Sequence, residues 1–427
     1  MKGYSSSYFR SANKRICNGE LVRRSHYELN GRKSGATGSR LHQKIHIFSE
    51  DLEVSSTDRH KPAGTGPIAH FFIFASEKNC YRVRESRMER LTALPLCIEE
   101  GAMKKKIFVT REVFGEVLDF LDSHFEVVAN QEDKVLSREE LARVLSDKEG
   151  ALTTLTERID EDLLGRCPQL KAVCNIAVGY NNIDLTACNA HGVMATNTPG
   201  VLDDTTADFA WALTLATARR LNEAEAYIRE GRWDKWKLKQ FLGLDVHHAT
   251  LGIIGLGRIG QVVARRAMGF EMEVLYHDVR RAAPEIESAC RARYVTKDEL
   301  FRKADIVTIH IPYSPETHHA IGATEIALMK PSAILIHAAR GGVLDDAALV
   351  EALRKGTLAG AGLDVFEGEP AIHPGFRELK NVVLSPHIAS SSERTRFKMA
   401  MMAAENCVAA LTTGNPPNLL NPGAKPL

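Results

Sequence analysis

From Met103 onward the apolar positions fall into short runs separated by longer stretches with helical spacing. KIFVT (106–110), EVVA (126–129), KAVCNIAV (171–178) and GVMATN (192–197) read as buried strands. EVFGEVLDFLDSHF (112–125) and SREELARVLSDK (137–148) read as helices, the second opening on a Ser-x-x-Glu capping box at Ser137 and Glu140. These elements form one small α/β unit that runs to about residue 201. A second set follows: TLGII (250–254), EVLYH (273–277), ADIVTIHI (304–311), SAILIHA (332–338), LAGAGLDV (358–365) and NVVLS (381–385). Each is short, apolar and β-branched, as strands covered on both faces must be. A long apolar helix, TTADFAWALTLATARRL (205–221), leads into this second unit, and SERTRFKMAMMAAENCVAALTTG (392–414) leaves it. Strand–helix alternation of this kind predicts an α/β fold with mostly parallel sheets.

Residues 1–102 do not share the pattern. They lack sustained periodicity, are broken by NGRKSGATGS and KPAGTGP, and carry a net charge of +6 against −5 for the rest. Three readings are open for them: a targeting peptide, a disordered interaction arm, or a conceptual extension upstream of a true start at Met103. The last is favoured, because KKKIFVT makes a natural first strand and EEGAM is compatible with a purine-rich ribosome-binding stretch.

The bulk composition excludes several classes. A net charge of +1 gives no reason to expect nucleic acid or an anionic membrane as the main partner. No apolar run approaches the roughly 20 residues of a membrane span, IAHFFIFA (68–75) being far too short. The eight cysteines (Cys17, Cys80, Cys97, Cys167, Cys174, Cys188, Cys290 and Cys407) contain no C-x-x-C pair. They read as reduced thiols of a cytoplasmic protein, and no metal site is expected.

Gly255-x-Gly257-x-x-Gly260 follows a strand and opens a helix. That context turns a common pattern into a dinucleotide signal: a tight turn, a close approach for the pyrophosphate, and a helix packed against its strand. The helix N-terminus offers free N–H groups to the phosphates. The next strand ends at Asp278, where an acid meets the ribose hydroxyls. A carboxylate there favours NAD, since it would repel a 2′-phosphate; Arg280 and Arg281 just beyond leave NADP open.

Ligands of an open parallel sheet bind outside the carboxyl ends of its strands. Arg340, Asp364 with Glu369, and His387 all follow such ends, on the edge that carries the glycine turn. Singly they read as a surface cation, solvated acids and a core imidazole. Together they suit reduction of a 2-oxo acid. Arg340 would fork onto the carboxylate, and His387, held by Glu369, would give the proton.

The landmarks AVGYNNIDL (177–185), NTPGVLDDTTAD (197–208), LGIIGLGRIGQ (251–261), IPYSPETHHAIG (311–322), AARGGVLDDAAL (338–349), AGLDVFEGEP (361–370) and SPHIASSSERTR (385–396) resemble the D-isomer-specific 2-hydroxyacid dehydrogenase family. Within it, LDVHHATLGI and ARR (218–220) look most like the bacterial glyoxylate/hydroxypyruvate reductase branch, which also reduces 2-ketogluconate. The resemblance implies two Rossmann-like or flavodoxin-like domains, a cofactor domain (202–387) inserted into a substrate domain (103–201 and 388–427). It implies Arg340, Glu369 and His387 as the catalytic set, with backbone amides at Val178 and Gly179 on the substrate carboxylate. Thr205, Gly255, Gly257, Arg258, Ile259, Gly260, Asp278, Pro312, Thr317, Ala338, Ala339, Asp364 and His387 would line the NAD or NADP site. It further implies a homodimer, with Trp233 or Trp236 of GRWDKW at the interface. The chain departs from the family at His337, Ala338 and Ala339, where Asn or Thr is common, and at Asn181. A regulatory, nucleotide-sensing protein on the same fold is the alternative to an enzyme.

Overall fold

The computed structural model describes residues 104–424 and, upstream, two antiparallel strand pairs, Ile16–Cys17 with Glu20–Leu21 and Phe72–Ala75 with Asn79–Arg82. The three readings of residues 1–102 lie otherwise outside the described residues.

The first sheet holds five parallel strands: β1 (Lys106–Val109), β2 (Glu126–Ala129), β3 (Gly150–Thr153), β4 (Ala172–Asn175) and β5 (Met194–Thr196), in the order β2-β1-β3-β4-β5. Alternation of side chains across the pleat sets its two cores. Ile107, Val109, Leu152 and Cys174 face α1 (Gly115–His124) and the distant helix α12 (Glu393–Thr413). Phe108, Ala151, Val173 and Ala195 face the other way, onto α2 (Arg138–Leu145), α3 (Glu161–Arg166) and α4 (Leu185–Ala190). The capping box expected at α2 forms: the Ser137 hydroxyl accepts from the Glu140 amide (3.2 Å) and the Glu140 carboxylate accepts from the Ser137 amide (2.9 Å).

The chain then leaves this sheet on α5 (Asp203–Ala218) and α6 (Leu221–Arg229) and builds a second one. Its seven parallel strands are β6 (Thr250–Ile254), β7 (Glu273–His277), β8 (Ala292–Tyr294), β9 (Ile306–Ile309), β10 (Ile334–His337), β11 (Gly360–Leu363) and β12 (Val382–Leu384). They lie in the order β8-β7-β6-β9-β10-β11-β12. Both sheets are doubly wound, and both reverse strand order beside their first strand, where such folds open a crevice. Leu251, Ile253, Val274, Tyr276 and Ile336 pack towards α5, α7 (Arg258–Ala267) and α8 (Pro284–Cys290). Leu275, Val307, Ile309, Leu335 and Leu363 pack towards α9 (Lys297–Lys303), α10 (Ala323–Leu328) and α11 (Asp346–Lys355).

The two long helices cross over. α5 follows the last strand of the first sheet yet packs on β10, β11 and β12; α12 follows the second sheet yet packs on β3, β4 and α1. Between α6 and β6, the segment 230–246 is largely irregular. It exposes Trp233, Trp236, Leu238 and Leu242, and α6 buries no residue at all. No helix among the described residues is long and apolar enough to cross a membrane.

Candidate active site

The carboxyl ends of both sheets open onto one cleft of about 1710 Å³. Of the residues expected to be functional, Val178, Gly179, Arg258, Ile259, Pro312, Ala338, Ala339, Arg340, Glu369 and His387 line it. The others take different places.

At the glycine turn, Gly255 has φ +93°, and a side chain there would run into the His310 carbonyl at 2.8 Å. Only glycine combines that conformation with that approach. Gly260 is buried where α7 meets its strand, and Gly257 is the N-cap of α7. That N-cap makes no side-chain hydrogen bond, whereas Ser137, Asp160, Asp184, Thr296, Asp345 and Ser392 cap their helices with side chains. The first amides of α7 therefore remain available for an anion, and the open space beside Gly257 suits a pyrophosphate. Asp278 sits at the turn: one carboxylate oxygen accepts from the Leu256 amide at 2.8 Å, and the other has no partner among the described residues. Arg281 is engaged by both oxygens of Glu287, each at 2.9 Å.

On the first sheet, the turn after β4 is held from behind by two amide side chains. Asn175 donates to the Gly179 carbonyl (3.1 Å) and Asn197 to the Val178 carbonyl (2.8 Å). Facing it from the second sheet is Arg340, at the end of β10. A Cβ placed on Gly179 would overlap the Arg340 guanidinium, so the two walls meet closely here. One guanidinium nitrogen, Nη1, donates to the Ala339 carbonyl at 2.8 Å; Nε is shielded from solvent and has no partner among the described residues. Burial pushes the Arg340 pKa down and the Glu369 charge opposes this. A guanidinium that is not fully paired can fork onto a carboxylate.

His387 stands on the turn after β12 with φ +54°, a left-handed conformation rare for a side-chain-bearing residue. Its amide donates to the Asp364 carbonyl (2.8 Å). The Asp364 carboxylate takes the amides of Ile388 (2.8 Å) and Ala389 (2.7 Å) and the Ser385 hydroxyl (2.6 Å). His387 Nδ1 donates to Glu369 Oε2 at 2.7 Å, which fixes the tautomer and leaves Nε2 for a ligand. Burial acts to raise the Glu369 pKa. The His387 ring, the Phe366 amide and Arg340 together outweigh it and hold the carboxyl below its ordinary range.

Three expectations change. Asp364 does not line the cleft: it is fully buried and both oxygens are consumed by the His387 turn, which it anchors. Thr205 is turned away, sharing a 2.7 Å hydrogen bond with Thr395 of α12, and Thr206 takes its place at the cleft. Thr317 also stays outside; its hydroxyl donates to the Pro312 carbonyl (2.8 Å) and closes the turn that presents Pro312 and Tyr313.

Sequence reasoning misses Arg396, which reaches the cleft from the first turn of α12 with a shielded, unpartnered Nε. It lies within SPHIASSSERTR, but an arginine at a helix start reads as a surface charge. His337 stands out in the sequence only as a departure. It is 1 % exposed, and its Nε2 donates to the Arg340 carbonyl at 2.8 Å, fastening the turn that carries the guanidinium. Burial pushes its pKa down to about 4, against the pull of the Arg340 carbonyl and Glu369.

This burial has a measurable consequence. The unfolded chain protonates His337 below about 6.5 and the folded chain only below about 4, so between them the unfolded state binds the extra proton. Stability present above about pH 6.5 is lost as pH falls towards 4, by about 3 kcal/mol in all. In His337→Asn the amide can still donate to the carbonyl but does not titrate. Urea midpoints at pH 7 and pH 5 should therefore fall less in the variant than in the parent. Equal falls would remove His337 as a source of acid sensitivity.

The protein-family model for the D-isomer specific 2-hydroxyacid dehydrogenase NAD binding domain matches residues 211–389. The chain is similar to a glyoxylate reductase of Thermococcus gammatolerans, 46% identical over 323 residues, which are 75% of this chain and 96% of that protein. Among solved structures it is similar to the TT0316 protein from Thermus thermophilus (TM-score 0.69, 40% identity, 74% of this chain and 99% of that one). It is also similar to an NADPH-dependent glyoxylate/hydroxypyruvate reductase from Sinorhizobium meliloti in complex with NADP and malonate (TM-score 0.64, 32% identity, 74% and 97% covered). With the glycine turn, the forked cation and the histidine–glutamate pair around one cleft, these matches establish the chain as a member of the D-isomer specific 2-hydroxyacid dehydrogenase family.

Proposed function

We propose that this chain reduces short 2-oxo acids, glyoxylate and hydroxypyruvate first among them and 2-ketogluconate as a further candidate, to D-2-hydroxy acids. The observation that carries the reading is the unpartnered Arg340 nitrogen beside Gly179, in the same cleft as His387 and Glu369. Arg340 and the amides at Val178 and Gly179 hold the substrate carboxylate. His387 Nε2 gives its proton to the carbonyl oxygen, and Glu369 stabilises the ring while it is charged. A reduced nicotinamide cofactor supplies the hydride. NAD is favoured over NADP, because a carboxylate at Asp278, beside the glycine turn, would repel a 2′-phosphate and Arg281 is tied to Glu287. Residues 202–387 form the cofactor domain; 103–201 with 388–427 form the substrate domain.

The exposed apolar side chains of α6 and of residues 230–246 support a homodimer, with Trp233 or Trp236 in the interface. Five cysteines, Cys167, Cys174, Cys188, Cys290 and Cys407, are free and buried, which fits a reducing cytoplasm. The names of the similar proteins favour turnover over a purely regulatory role.

The test is a panel of 2-oxo acids with NADH and NADPH, followed by loss of the reduced-nicotinamide absorbance. Glyoxylate and hydroxypyruvate should be consumed, and a ketone lacking the carboxylate should be at least about 100-fold poorer in kcat/KM. No consumption of any 2-oxo acid, or equal use of the uncharged ketone, would defeat the reading.

A further inference from the structure

Outside the cleft, three exposed side chains from two of its wall segments converge: His318 and His319, and Glu367 from 48 residues further along. Each offers one ligand atom, and these atoms lie within 4.8 Å of one another. His319 Nε2 is 2.7 Å from Glu367 Oε2, and His318 Nε2 is 4.0 Å from Oε1. The two imidazoles stack with centroids 3.9 Å apart and an interplanar angle of 22°.

A single hydrogen bond to Glu367 accounts for His319. It does not account for His318, which lies flat on its neighbour, where two charged rings would repel. The backbone supports the arrangement: His319 has φ +50°, and its amide donates to the Gly342 carbonyl at 2.8 Å. Tyr313 closes against His318 edge-on, with centroids 5.9 Å apart. The local field is negative. Asp345 and Asp346 both act on His319, Asp346 accepts from the Glu367 amide at 3.1 Å, and the ion pairs of Glu367 are with the two histidines alone among the described residues.

Two neutral imidazoles and one carboxylate are the donor set that borderline divalent ions take. Bonds of about 2.0–2.2 Å would put donor atoms about 3.3 Å apart in a tetrahedral shell, so the two imidazoles, stacked here, must swing apart at the exposed surface to bring both lone pairs onto one ion. We infer that His318, His319 and Glu367 bind one divalent transition ion of the zinc class, at a site distinct from the catalytic cleft. The absence of paired cysteines says nothing of such a site. An ion here ties the segment presenting Pro312 and Tyr313 to the one presenting Phe366 and Glu369, and so braces both walls from outside.

The test uses the full-length chain stripped with a chelator and then titrated with Co²⁺. One ion per chain should bind, with visible ligand-field bands that Zn²⁺ abolishes by displacement. His318→Asn, His319→Asn and Glu367→Gln should each weaken binding about tenfold or more. Asparagine is chosen at His319 because it tolerates the left-handed backbone. The other adjacent pair, His247 and His248, lies near Asp245 and Glu271; the double variant His247→Asn/His248→Asn should bind as the parent does. Zn²⁺ should raise the melting midpoint of the parent by several degrees and leave that of Glu367→Gln unmoved. Failure to saturate at one ion per chain would overturn the inference. So would parental affinity in Glu367→Gln, or loss of binding in the His247/His248 variant.

Discussion

His387→Ala should lower kcat for glyoxylate roughly 1000-fold while cofactor affinity stays within about threefold of the parent. In the proposed reaction the imidazole donates the proton, beside the unpartnered Arg340 nitrogen, and its Nδ1 is already committed to Glu369 at 2.7 Å. Removing it leaves the carboxylate site and the glycine turn in place, so the loss belongs to the chemical step. Alanine, however, also disfavours the left-handed φ of +54° at this position. His387→Asn accepts that backbone and still lacks the imidazole. Steady-state rates at saturating substrate should therefore collapse alike in both variants, with cofactor binding followed by fluorescence. A parental rate in either would exclude His387 as the acid. Loss in alanine alone would assign it to the turn.

The second large effect is expected at Arg340, and it falls on a different constant. Arg340→Ala removes a charge-assisted, forked contact of about 3–4 kcal/mol, so kcat/KM should drop roughly 100- to 1000-fold, chiefly through KM. Arg340→Lys should recover only a small part, since an ammonium cannot present two parallel donors. Gly179→Ala reaches the same point sterically, because its methyl group would occupy the space of the guanidinium. It should raise KM without altering any charge. Initial-rate measurements over a glyoxylate series decide the matter; an unchanged KM in both Arg340→Ala and Gly179→Ala would detach the carboxylate from this corner.

Most of the strands can be read from the chain because burial on both faces leaves a plain mark in the sequence, though the half-exposed edge strand β8 (Ala292–Tyr294) is missed. The middle of the first sheet cannot be read in this way. Gly150–Thr153 is GALT, too small and too polar to read as a strand, yet it lies between β1 and β4. It is small because α12 presses on it: a Cβ on Gly150 would sit 2.8 Å from Leu411 Cδ1. That pressure comes from a helix more than 200 residues away and leaves no local signal. The same division holds in the site. Arg340, Glu369 and His387 are legible from their positions past strand ends, a property of topology. Thr205 against Thr206 is a single step on a helix, which swings a side chain by about 100° and decides which neighbour faces the cleft. Asp364 misleads for a related reason: its place in the chain is right for a ligand, and only the amides of Ile388 and Ala389 reveal where its oxygens go.

The crossing of α12 onto the first sheet also sets the order in which a growing chain acquires structure. One face of that sheet, with Ile107, Val109, Leu152, Cys174 and Met194, is closed largely by Ala400, Ala403, Ala404 and Cys407. Those residues are synthesised only after the last strand of the second sheet. The seven-stranded sheet, by contrast, has its whole complement of strands and covering helices by residue 384. The middle of the chain therefore matures first, while the segment made before it waits with an apolar face uncovered. A chain truncated before residue 392 would carry a complete seven-stranded sheet beside a first sheet with one apolar face uncovered, and that face is where a chaperone would bind.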